Sequence, residues 1–271
     1  CVPGLLLVLD AISIEEEKQL VNEIYAHGDV KNCKNKGGDG WSTCARKEAR
    51  ESKEFSFAAH RRVMHFGHRF DYDTRGVGRS ATGGNLPPFL QKLALRIKRY
   101  CGQGINNEKP VTQDGGEGGG GEEGEDCFDQ CTVNEYKAGH GISAHVDTHS
   151  VFGSILVSLS LLNQAVMSFV HSKNGQRLDL VLPPRSLLIL KRDARYVWTH
   201  CIPPRSTDLM ENGERMKRST RLSVTLRRLR RPEEGPCKCK WPGVWCDSSQ
   251  MLVEGNKSDS ISPTSSPPTK K

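Results

Sequence analysis

Residues 132–150 read TVNEYKAGHGISAHVDTHS, and within them His145, Asp147 and His149 place two imidazoles around a carboxylate in five positions. Successive side chains of a strand point to opposite faces, so an extended 145–147 would aim His145 and Asp147 the same way. By the same rule Asn134 and Tyr136 share one face, opposite Val133 and Glu135. The stretch belongs to a series of short, β-rich, turn-bounded runs: FDQCTVNEYKAG, SILVSLSLL, AVMSFVH, RLDLVLP, RSLLILKR and TRLSVTLRRL. Two helical segments precede most of them. In SIEEEKQLVNEIYAH (13–27) Ser13 can cap and Glu16 can close a capping box. In PPFLQKLALRIKRYC the residues Leu90, Leu93, Ala94, Ile97 and Cys101 recur on one helical face over 88–101. Helices first and strands later, with little alternation, predict a mainly β fold with flanking helices (α+β), a jelly roll rather than a doubly wound sheet.

The 271 residues fit one large domain, expected over 1–247. QDGGEGGGGEEGED (113–126) has nothing apolar to bury and reads as a disordered acidic, glycine-rich insertion, KNCKNKGGDGW (31–41) as a loop, and 248–271 as a disordered polar tail. The net charge is +7, and residues 215–231 carry eight Lys or Arg and no acid. Such a run is either a solvated face or an attractor for phosphate. No apolar run reaches the length of a membrane span, and VPGLLLVL is too short for a signal peptide. An intracellular protein, cytoplasmic or nuclear, is expected. The ten cysteines would then be reduced, and clustered ones would point to metal before disulfide.

A third ligand for the His145–Asp147 pair is available in YVWTHCIPP, where His200 follows a strand pattern. His-x-Asp with a distant His is the two-histidine, one-carboxylate set of non-haem Fe(II) oxygenases, which leaves metal positions open for oxygen and a co-substrate. The last strand adds to it. In RLSVTLR the polar set Arg221, Ser223, Thr225 and Arg227 alternates with Leu222, Val224 and Leu226. Guanidiniums on the interior face of a barrel require an anion, and a dicarboxylate suits them because Arg binds carboxylate bidentately. Asn134 and Tyr136 can hydrogen-bond a carboxylate as well.

The segments TVNEYKAGHGISAHVDTHS, SLLILKRDARYVWTHCI and RLSVTLR, in this order, resemble the AlkB family of Fe(II)/2-oxoglutarate dioxygenases. The resemblance implies iron at His145, Asp147 and His200, and 2-oxoglutarate at Asn134, Tyr136, Arg221 and Arg227, with Ser223 beside them. The segment RRVMHFGHRFDYDTR (61–75) is similar to that family's substrate-covering lid, and it contains His65. HVDTHS and CKCKWPGVWC are similar to the tRNA-modifying branch, that of the eighth AlkB homologue. This implies a structural zinc held by His149, Cys237, Cys239 and Cys246. Three cysteines within ten residues match a closed Cys3His site. By the same resemblance the substrate is a 5-methoxycarbonylmethyl wobble uridine in a tRNA anticodon loop. A methyltransferase partner would supply it. The alternatives are oxidative demethylation of alkylated nucleic acid or protein by the same fold, and a catalytically silent RNA-binding module.

Overall fold

The structure is a computed structural model that describes residues 2–28, 42–43, 61–71, 76–78, 85–101, 128–210, 212–235, 237 and 246. In chain order its elements begin with β1 (Leu5–Val8), α1 (Ile14–Gly28), β2 (Ser42–Thr43), β3 (Arg62–Gly67), β4 (Arg69–Asp71), β5 (Gly76–Gly78), α2 (Pro88–Cys101), β6 (Gln130–Tyr136) and β7 (Ile142–His145). They continue with β8 (Phe152–Leu161), β9 (Ala165–His171), β10 (Arg177–Leu182), β11 (Leu187–Leu190), α3 (Arg192–Tyr196), β12 (Trp198–Ile202), β13 (Thr207–Leu209), β14 (Arg215–Lys217) and β15 (Arg221–Leu229). The insertion at 113–126, the loop at 31–41, the tail at 248–271 and Cys239 lie outside the described residues.

The strands form a seven-stranded sheet in the order β1-β11-β8-β15-β6-β3-β2 and a four-stranded sheet in the order β10-β9-β12-β7. Their pairings are antiparallel. This is the expected jelly-roll core. Alternation along β15 organises it. Leu222, Val224 and Leu226 are fully buried on the outer face of the large sheet, where they meet Leu20 and Ile24 of α1 and Leu90, Leu93 and Ile97 of α2. The opposite face looks toward the small sheet, and there Tyr136, Leu156, Leu188 and Leu190 meet Met167, Phe169, Trp198 and Ile202. The polar residues of β15 share that inner face and border the space between the sheets.

Both helices start as their sequences dictate. Ser13 donates its backbone N–H to Glu16 Oε2 (2.8 Å), and the Glu16 N–H donates to Ser13 Oγ (3.2 Å). Glu15, Glu16 and Glu17 fill the first turn of α1, where the helix dipole favours negative charge. Pro88 opens α2 at a position that needs no backbone donor.

Several elements had no expectation in the sequence. β1 is a continuous apolar run, LLLV, without alternation, because Leu6 and Val8 meet the outer core while Leu5 and Leu7 meet the inner one. α3 is a single turn, too short to show helical periodicity. The hairpin of β13 and β14 hangs from Asp208, which is fully buried. Arg218 donates to both its oxygens (2.6 Å each), Arg205 Nε to one (2.7 Å) and the Val166 N–H to the other (3.2 Å). Burial raises the carboxyl's affinity for a proton, but the arginine bonds outweigh it and hold the group below its ordinary range. Its stabilising contribution is therefore present above the usual carboxylate range and is lost as pH falls through the lowered folded value. Asp208→Ala leaves two guanidiniums facing a gap and is expected to lower stability by about 3–5 kcal/mol. Denaturant titration reads this as a fall in midpoint at unchanged slope. A loss near that of a surface pair, about 0–1 kcal/mol, would contradict it.

Candidate active site

β7 and β12 are neighbours in the small sheet, and His145 stands directly opposite His200 across the pair. Their ring centroids are 4.4 Å apart, tilted by 53°. The next turn of the ladder is irregular, and Gly141 explains why a bulky residue is absent there: a Cβ at that position would overlap the Ile202 carbonyl oxygen. β7 ends at His145, so the ladder of the small sheet stops before Asp147. Asp147 joins the histidines from the loop that follows. Its Oδ1 lies 3.9 Å from His145 Nε2.

The ring nitrogens are differentiated. His145 Nδ1 is 2.8 Å from the Ser143 carbonyl oxygen, which places its hydrogen there and leaves Nε2 as the lone-pair nitrogen beside Asp147. Burial holds His200 at a pKa of about 3, with His145 adding to the effect, so His200 is a neutral imidazole at ordinary pH. Its buried Nδ1 has no hydrogen-bond partner among the described residues. Burial opposes ionisation of Asp147, yet Arg227, the two histidines and Arg195 outweigh it and hold the carboxyl well below its usual range. A carboxylate and two imidazoles thus line one pocket, and they are donor types that a divalent transition metal takes.

The second cluster lies along β15 and β6. Arg221 pairs in register with Tyr136 and Ser223 with Asn134. Arg221 is 2% exposed and donates from Nη2 to Ser160 Oγ (2.8 Å), while Nε and Nη1 have no partner among the described residues. Burial lowers its pKa to about 10, so it remains cationic at neutral pH. A buried cation with two unanswered donors is costly unless an anion reaches it. Arg227 is engaged differently. Its Nε and Nη2 face Asp147 Oδ2 and Oδ1 (3.4 Å each), and its Nη1 donates to Gln130 Oε1 and Thr132 Oγ1 (3.0 Å each). A pocket of about 480 Å³, counted out to its open mouth, is lined by Asn134, Tyr136, His145, Asp147, His200 and Arg227. Arg221 and Ser223 are buried on the same sheet face without reaching the pocket's lining.

His149 points away from this pocket. It is buried, and its ring stands edge-on to Tyr196 at 4.9 Å. Its ligand nitrogen and the Cys237 and Cys246 sulfurs all lie within 4.8 Å of one another. The structure therefore gathers three of the four residues expected there, the fourth, Cys239, lying outside the described residues.

Sequence reasoning missed four neighbours. Gln130 and Thr132 continue the alternation of Asn134 and Tyr136, and extending that pattern by two steps finds them. Arg61 donates to Asn134 Oδ1 (3.1 Å). Arg195, 1% exposed, donates to the carbonyl oxygens of Asp147 (2.7 Å), Thr148 (3.0 Å) and Gly153 (3.2 Å), so it clamps the loop between the two clusters. Its partners are main-chain atoms, which leave no mark in a sequence. His65 lies near the site: its Nδ1 is 3.2 Å from Thr132 Oγ1, and burial, with Arg227 and Arg69 nearby, lowers its pKa to about 4.

Residues 4–227 match the 2OG-Fe(II) oxygenase superfamily, and the chain belongs to it. The family's dioxygenases use Fe(II) and 2-oxoglutarate, and the residues found here fit both. The chain is 31% identical to the alkylated DNA repair protein ALKBH8 homolog of Arabidopsis thaliana over 268 residues, 93% of this chain and 64% of that protein. It is 32% identical to the tRNA (carboxymethyluridine(34)-5-O)-methyltransferase ALKBH8 of Mus musculus over 274 residues, 95% of this chain and 34% of that protein. The chain thus spans between about a third and two thirds of the length of these relatives. The solved structure of OsALKBH1 superposes with a TM-score of 0.53 at 17% identity, covering 83% of this chain and 97% of that one, which supports the fold.

The unanswered donors of Arg221 generate a prediction. Arg221→Ala is expected to weaken 2-oxoglutarate binding about tenfold or more, the worth of a charge-assisted hydrogen bond. Calorimetric titration of the metal-loaded protein measures it, and an unchanged affinity would move the anchor elsewhere.

Proposed function

We propose that this chain is an Fe(II)/2-oxoglutarate dioxygenase domain that hydroxylates the 5-methoxycarbonylmethyl group of a wobble uridine in tRNA. The observation that carries the catalytic part is that His145, Asp147 and His200 line one pocket with Asn134 and Tyr136, and that Arg221, paired in register with Tyr136, is buried with two open donors. His145, Asp147 and His200 would hold iron. Arg221, Tyr136 and Asn134 would hold the diacid, with Ser223 behind them and Arg227 at the iron end. When bound, Fe(II) and 2-oxoglutarate supply the oxidising power: 2-oxoglutarate, O2 and a substrate C–H yield succinate, CO2 and a C–OH. The protein's residues do the remaining work. Arg227 keeps Asp147 ionised, the Ser143 carbonyl fixes the His145 tautomer, and the apolar walls from Met167, Leu188 and Leu190 limit water.

The tRNA part rests on the likeness to proteins named for uridine 34 of tRNA and on the basic run at 215–231. An anticodon base is already unstacked, so presenting it to a pocket costs less than flipping a paired base. A methyltransferase, the activity those relatives are named for, would provide the ester substrate. We further infer that His149, Cys237 and Cys246, with Cys239, bind a structural zinc, because cysteine and histidine ligand atoms this close together, those of His149 and Cys246 on buried residues, suit a closed tetrahedral site. The name of the Arabidopsis relative favours a second reading, removal of alkyl groups from nucleic acid.

Incubating the protein with iron, ascorbate, 2-oxoglutarate and either modified tRNA or alkylated single strands separates the two readings. Mass spectrometry of the nucleosides is expected to show one added oxygen on the methoxycarbonylmethyl uridine. Loss of alkyl groups from the single strands, with the tRNA unchanged, would favour the second reading. His145→Ala is expected to abolish succinate release while circular dichroism stays as in the parent protein; turnover at the parent rate would refute the iron assignment. Cys237→Ser is expected to lower zinc content and melting temperature together. A parent protein that contains no zinc by elemental analysis would remove that site.

A further inference from the structure

We propose that Arg61 is a positioning residue for 2-oxoglutarate: it fixes which end of the Asn134 side-chain amide faces the bound diacid. This rests on the reading of Asn134 as a ligand of 2-oxoglutarate. β3 pairs with β6 so that Val63 stands opposite Asn134 and Arg62 opposite Glu135. Residues directly opposite in an antiparallel pair share a face. Arg61, Val63 and His65 therefore lie on the inner face with Asn134 and Thr132. Arg62 turns outward, where it donates to both oxygens of Glu135 (2.8 and 2.7 Å), which also accepts from Tyr25 (2.9 Å). Two adjacent arginines thus serve opposite sides of the sheet, and only Arg61, 3% exposed, is committed to the site.

Its Nε lies 3.1 Å from Asn134 Oδ1. A guanidinium has donors only, so the atom it meets must be the amide oxygen. The amide nitrogen is then the end left for the pocket that Asn134 lines. The orientation matters because the ligand is a carboxylate. An amide N–H donates to it, whereas an amide oxygen in the same place would repel it. Without Arg61 the two flip states of the amide would compete, and only one of them binds.

The test is a double-mutant cycle on the full chain, loaded with Mn(II) without oxygen and titrated calorimetrically with 2-oxoglutarate. Arg61→Met and Asn134→Ala are each expected to weaken binding by about three- to tenfold, and the double variant to bind no more weakly than Asn134→Ala alone. Mn(II) affinity is expected to stay at the parent value, and in the iron enzyme the 2-oxoglutarate requirement to rise while kcat holds. If Arg61→Met does not fold, Arg61→Gln carries the same cycle, since its amide can present either end to Asn134 and no longer selects one. If Asn134→Ala weakens binding but Arg61 variants leave it unchanged, or their effect multiplies with that of Asn134→Ala, the proposal is overturned. If Asn134→Ala itself leaves binding unchanged, the reading of Asn134 falls and the proposal falls with it.

Discussion

Charge compensation on the inner face of β15 constrains the molecule more than any other interaction. The strand's apolar residues commit its outer face to the helices, so Arg221 and Arg227, which alternate with them, enter the space between the sheets. A guanidinium removed from water must be answered. Arg227 is answered by Asp147, Gln130 and Thr132. Arg221 has Ser160 and the face of the Tyr136 ring, 5.6 Å away, and no acid among the described residues. The difference between the two defines the chemistry: one cation tunes a metal-binding carboxylate, and the other waits for a carboxylate that arrives with the ligand.

The geometry of Arg227 supports this division. Its nitrogens stand 3.4 Å from the Asp147 oxygens, longer than the 2.7–2.9 Å of a strong charge-assisted bond. It lowers the carboxyl's proton affinity through its field without consuming the lone pairs that a metal would use. The short bonds of Arg227 go instead to Gln130 and Thr132, which fix its orientation. Low proton affinity and open lone pairs are what a metal-binding carboxylate needs, and the two requirements are met by different contacts of one side chain.

What could be read in the sequence was local. The first helix carries its capping box and the second its apolar spacing within a few residues, and both form where those patterns say. The polar row of β15 and the Asn134–Tyr136 pair are alternations, and they fall on the face expected of them. The triad's members were identifiable, but the pairing of β7 with β12 that sets His145 opposite His200 was not, because it joins segments far apart in the chain. Arg61 and Arg195 were invisible for a different reason. Each acts on a partner far away in the chain, an amide oxygen in one case and main-chain carbonyls in the other, and neither partner constrains residue type nearby. The lid-like segment at 61–75 hid two roles of its first residues, since β3 is an integral strand of the large sheet.

The loop after β7 shows why Arg195 holds main chain. Asp147 and His149 are two residues apart and face different clusters, so the backbone between them must turn sharply and stay turned. A side-chain contact would occupy the very atoms each cluster needs. Arg195 instead donates to the carbonyl oxygens of Asp147 and Thr148, and its guanidinium lies 4.8 Å over the ring of Tyr196, the same ring that meets His149 edge-on. One buried cation thereby braces both clusters through the backbone and an aromatic plate, with its hydrogen bonds going to main-chain oxygens rather than to the Asp147 carboxylate.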